Sequence, residues 1–261
     1  EEGIGSSNFG SSYSLTFAFA SFPRVTLRSM RLYSVLSAAA FCDLCVGARR
    51  CRVSGVSVQT LAALSIASSL SVFNVYDGVQ YLWTDVIIVA INASVSWLAT
   101  AMVYKVSDAD DEDDLVACHF PKLLRVVVVY VAALAMAFAA TLATCKFSMA
   151  EAHSWVNEAP TGLLCSIQNY LHGTGLLPQL VLSRRRGFVA PAAVRFLLFL
   201  GVKHLTELAV DLQVTIRAFY AGAMNNHDPA FLSGDIFAAV VLLDFLYLFT
   251  TSRSKTMELP L

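Results

Sequence analysis

Between residues 192 and 220 an otherwise apolar run carries Lys203, His204, Glu207 and Asp211. Ionisable side chains in the middle of such a run are costly, which makes them candidate functional positions. Lys203 and Glu207 stand four apart, the spacing at which opposite charges pair along a helix. His204, Glu207 and Asp211 follow at i, i+3 and i+7, a stripe on one helix face. That stripe could line a proton or cation path, with the His204 imidazole titrating near neutral pH. It could also form a self-neutralised polar seam against another protein's helix, or the wall of a water-holding cavity. Asp244 and Asn92, in other apolar runs, read as hydrogen-bonded contacts between helices. Pro178 and Gln179 mark the approach to a helix end, and Arg184, Arg185 and Arg186 read as its anchor at lipid headgroups, where a bound phospholipid phosphate would suit them. Nothing spells a nucleotide loop, a zinc box, a hydrolase elbow or a catalytic acid pair. The chain therefore reads as a protein without cofactor, metal or catalysis.

The elements that must position these residues follow from composition. Hydrophobic residues make up 57% of the chain and charged residues 14%, with a mean hydropathy of +0.63, whereas soluble domains run at roughly 45–50% apolar and ~25% charged. Apolar runs near the ~20 residues that cross a bilayer lie at 32–48, 56–75, 81–104, 123–145, 163–182, 192–220 and 231–251. Backbone polar groups in lipid must be satisfied within each segment, so the expected fold is all-α and integral to a membrane, with seven transmembrane helices. Residues 1–30 read as an N-terminal extension, 31–251 as the seven-helix domain and 252–261 as a short tail.

Net charge is −1, which gives no reason to expect nucleic acid. The distribution of bases is more telling. With loops alternating sides, one side collects Arg49, Arg50, Arg52, Lys105, Lys122, Arg125, Arg184, Arg185, Arg186, Arg195, Arg253 and Lys255; the other holds Arg24, Arg28, Arg31 and Lys146. The positive-inside rule places the first set on the cytoplasmic or matrix face, with the C-terminus, and the N-terminus opposite. The acidic run Asp108–Asp114 shares the basic side and reads as a solvated loop that could meet a basic partner. The six cysteines are scattered and imply no disulfide framework. The chain opens at Glu1, which a cleaved organellar presequence or trimming would explain equally well.

The basic turn after the first run, Arg49 to Leu61, is echoed by Arg184 to Pro191 after the fifth. The echo four helices later suggests two triple-helix bundles joined by a middle helix, an arrangement comparable to the repeats of membrane carriers.

From Arg31 to Leu261 the chain resembles the KDEL receptor family (ER lumen protein retaining receptors), within the wider PQ-loop and SWEET-like group. The resemblance lies in Arg31-Leu-Tyr-Ser-Val-Leu-Ser37, the turn from Cys51 to Leu64, Tyr170-Leu171, Leu177-Pro178-Gln179-Leu180, Phe199-Leu200-Gly201, Asp244-Phe-Leu-Tyr-Leu-Phe249 and Leu259-Pro260. It implies a luminal cavity for a C-terminal retention peptide. Arg31 matches a peptide-binding arginine of the family and Asp244 a structural aspartate. Elsewhere the match fails: the family's second-helix Arg-Tyr-x-x-Asp pattern falls on Ser69, Leu70 and about Val72, its histidine on Ala38 and its fifth-helix glutamate on His172. Its sixth-helix positions fall on Lys203-His204, Glu207, Val210-Asp211 and Val214. An acidic peptide terminus calls for several fixed cations, most of which are replaced here.

The expectation is a receptor-like bundle repurposed as a non-catalytic accessory subunit of a larger membrane complex, in contact with membrane lipids and other membrane-protein subunits, with the mitochondrial inner membrane named first. One alternative is a retrieval receptor for C-terminal retention peptides in the ER and Golgi, using Arg31 with His172 or His204. Another is a small-solute or proton-coupled carrier with a path past Glu207 and Asp211.

Overall fold

Three helices begin on a proline and one on Asp-Pro, residues that favour a helix start because proline's fixed φ suits the first turn and its missing N–H is not needed there. The computed structural model describes residues 23–50, 53, 55–77, 83–106, 122–144, 160–187, 189–220 and 228–257. Among them are seven helices and no strand: α1 Pro23–Arg49, α2 Val58–Asp77, α3 Trp83–Val106, α4 Lys122–Thr144, α5 Pro160–Arg186, α6 Pro191–Tyr220 and α7 Asp228–Met257. The all-helical expectation holds. α1 begins nine residues before its expected apolar run, taking in the basic stretch from Arg24, and α7 continues past residue 251.

Packing follows a repeated scheme. α3 lies against both α1 and α2, and α7 against both α5 and α6. The two triple-helix groups meet where α1 packs on α6 and α2 on α5, and α4 joins them by packing on α5, α7 and α2. Each half thus lends its first helix to the other half's second.

The two echoed turns face each other. Gly55 and Gly187 adopt φ of 83° and 71°, the left-handed region natural to glycine, and Gly187 N–H returns to Arg184 O at 3.2 Å to close α5. A Cβ on Gly55 would stand 2.6 Å from Ala190 Cβ and 2.9 Å from the Arg186 guanidinium. At this end the main core gathers Phe41, Leu44, Leu61, Leu64, Val103, Leu176, Phe196 and Phe245 from both halves, with Phe41 and Phe196 edge to face at 5.4 Å. A second cluster seats the small-residue face Val129, Ala133, Ala137 of α4 against Ala63, Ala67, Ile167 and Leu171.

Large apolar side chains point outward in helical stripes, such as Ile87, Ile91 and Leu98 on α3 or Ile236, Val240 and Leu243 on α7, while Ser65, Ser96, Thr100, Thr141, Thr174 and Gln179 are buried. Thr100, Thr141 and Thr174 donate to the carbonyl four residues back, and Ser65 and Thr100 join α2 to α3 at 2.9 Å. By length and composition α1, α3 and α7 are apolar enough to cross a membrane, with shorter apolar stretches at Val58–Val72 and Val127–Ala143.

Candidate functional site

Polar side chains of α5, α6 and α7, the three helices of the second group, converge inside the bundle. On α6 the i, i+4 spacing brings Lys203 Nζ to 2.8 Å from Glu207 Oε2, with Lys203 only 6% exposed. His204, 1% exposed, places Nδ1 2.9 Å from the same oxygen. It lies within ion-pair distance but off the N–H axis, so neither ring nitrogen has a hydrogen-bond partner. From α5, buried His172 sets its ring edge to face against His204, centroids 4.8 Å apart. One turn along α6 stands Asp211, with Asp235 of α7 as its neighbour. Asp235 Oδ2 is buried without a partner. The Tyr33 hydroxyl donates to Thr206 O at 3.3 Å, tying α1 to the back of the cluster.

The cluster sets three carboxyl groups, those of Glu207, Asp211 and Asp235, against the one amine of Lys203. It is matched to a cation, or to a ligand that brings one.

The structure thus unites His172, Lys203, His204, Glu207 and Asp211. Asp244 lies apart, paired with Arg184 between α7 and α5. The Arg31 side chain, the run Asp108–Asp114 and Cys51, Cys118 and Cys145 lie outside what is described. Arg185 is exposed at the end of α5, and Arg186 lies over Gly55.

Pro178 and Gln179, expected near a helix end and in contact with lipid, lie inside α5, which runs two further turns to Arg186. Gln179 is 1% exposed and faces protein. Its Oε1 accepts from Ser57 N–H at 2.7 Å, its Nε2 donates to Gly55 O at 2.9 Å, and its backbone N–H donates to Thr60 Oγ1 at 3.0 Å. The first turn of α2 has N–H groups without helical partners, and a side chain from the other half supplies one. Across the quasi-repeat, Arg195 Nε on α6 donates to Asp43 Oδ2 on α1 at 3.0 Å. Asn92 is buried as expected, but its Oδ1 has no partner.

Asp235 and Asp85 escaped the sequence reading, although both are acids near the start of an apolar run and buried. The rule that singled out Lys203 and Glu207 would have found them.

A family model described as ER lumen protein retaining receptor matches residues 52–210, more than half of the chain. The stretch includes His172, Lys203, His204 and Glu207 and ends one residue before Asp211. No curated protein matches the chain.

Proposed function

The chain belongs to the ER lumen protein retaining receptor family, and from that premise we propose that it is a non-catalytic, membrane-spanning receptor whose ligand site is the cluster on its second triple-helix group. The observation that carries this reading is that ionisable groups of the three helices of one group are gathered inside a bundle whose outer face is apolar. Trp83 and Tyr104, 75% and 62% exposed, stand at the two ends of α3. At 1.5 Å per residue they are separated by about 31 Å, matching a hydrocarbon core of roughly 30 Å flanked by aromatic belts. Family membership supports residence in the ER and Golgi. The accessory-subunit role and the mitochondrial inner membrane draw no support from it.

The ligand is the C-terminus of a peptide, held in a changed way. Its carboxylate takes the place of Glu207 on Lys203, and a basic side chain meets Asp211 and Asp235. An acidic terminus would face the three carboxyl groups of the cluster. The test is titration of the detergent-solubilised protein with peptides ending Lys-Asp-Glu-Leu and with matched peptides whose two acids are lysines, from about pH 5 to about pH 8, where imidazoles titrate. The basic terminus binds saturably, and Lys203→Met weakens it ~10- to 100-fold, the worth of one hydrogen bond to a charged group. Absence of binding by either peptide, or preference for the acidic one, overturns the reading.

A further inference from the structure

His172, His204 and Glu207 offer one donor atom each, all within 4.8 Å of one another. They come from two helices, and His204 is buried with both ring nitrogens lacking hydrogen-bond partners. Leaving a buried donor or acceptor unmade is unfavourable, and native proteins leave few such groups. A polar imidazole kept in that state, beside a second imidazole and a carboxylate, points to a partner supplied from outside the chain.

We propose that His172, His204 and Glu207 form a binding site for a divalent transition-metal ion of the zinc class. Two neutral imidazoles and one carboxylate are the donor set of three-ligand zinc sites that keep a fourth position open. Calcium and magnesium prefer oxygen donors. Donors at about 2.0–2.1 Å from a tetrahedral ion sit roughly 3.3 Å apart, between the 2.9 Å that separates His204 Nδ1 from Glu207 Oε2 and the 4.8 Å limit of the group. Small side-chain rotations suffice. The carboxyl of Asp211 lies one turn along α6 from Glu207.

Lys203 is the built-in competitor. Its ammonium lies 2.8 Å from Glu207 Oε2 and supplies the positive charge that the metal would supply. Metal entry must release Lys203 from Glu207, so the site takes either cation in turn. The inference does not depend on peptide binding, because metal uptake is read with no peptide present and each can fail alone.

The experiment titrates the full chain in detergent with Co²⁺ and then displaces it with Zn²⁺. The expected result is saturable uptake of one ion per chain, with the intense visible absorption of four-coordinate cobalt, no thiolate charge-transfer band, and bleaching by equimolar Zn²⁺. His172→Ala and His204→Ala each weaken uptake at least ~100-fold, beyond the loss expected for a merely supporting neighbour. Lys203→Met strengthens it about tenfold by removing the competitor, a gain of ~1.4 kcal/mol that misfolding cannot mimic. No saturable uptake, uptake indifferent to His204→Ala, a thiolate band, or weaker uptake in Lys203→Met would each overturn the proposal.

Discussion

Gln179 makes bonds that no neighbour could replace, since its amide accepts from Ser57 and donates to Gly55 across the boundary between the two halves. Gln179→Leu keeps the volume and orphans both backbone groups, so thermal unfolding in detergent should report a loss of about 2–4 kcal/mol, two buried polar groups at ~1–2 kcal/mol each. A fall no larger than that of an exposed substitution would show that water satisfies them instead. Pro178-Gln179 was conspicuous in the sequence, yet its role was not legible, because the partners lie more than a hundred residues away. The stripe Lys203, His204, Glu207, Asp211 was legible because its spacing is local to one helix. The contact with His172 was not, since it depends on how α5 and α6 face each other. That is also why the sequence suggested no metal donors: its two imidazoles belong to different elements.

Close approach at the element scale is set by glycines on α5 and α7. A Cβ on Gly234 would lie 2.7 Å from Asn169 Cβ and 3.3 Å from its carbonyl carbon, and one on Gly173 would strike the Phe237 ring. Small residues at such contacts let helix backbones approach in membranes. Gly234→Ala should therefore cost ~1–3 kcal/mol by overpacking. Gly201→Ala, on α6 with nothing within 4 Å of its Cβ, should be neutral or raise stability by up to about 1 kcal/mol, as glycine in a helix interior is intrinsically weak. Equal melting shifts for the two variants would refute the close-packing account. The seven helices themselves were readable from apolar runs, since their number and order depend only on length and hydropathy. Their ends were less so: the basic residues preceding the first run gave no apolar signal, although Pro23 opens the helix.

For the whole molecule, the asymmetry of basic residues sets one orientation. A glycosylation acceptor placed between α4 and α5 should be modified in microsomes, one placed between α3 and α4 should not, and the protein should stay in the membrane pellet through alkaline extraction. The reverse pattern would invert the orientation, and release by alkali would remove the membrane reading. The paired turns then take on a mechanical meaning. Gly55 against Ala190, with Gln179 bonded to the start of α2, fastens the halves together at the basic end, and Lys203 lies roughly 20 Å along α6 from that fastening. A second tie joins the halves beside the cluster, where the Tyr33 hydroxyl of α1 donates to Thr206 O of α6. The halves are thus pinned in two places, as a plate is held by two screws and cannot swivel on one.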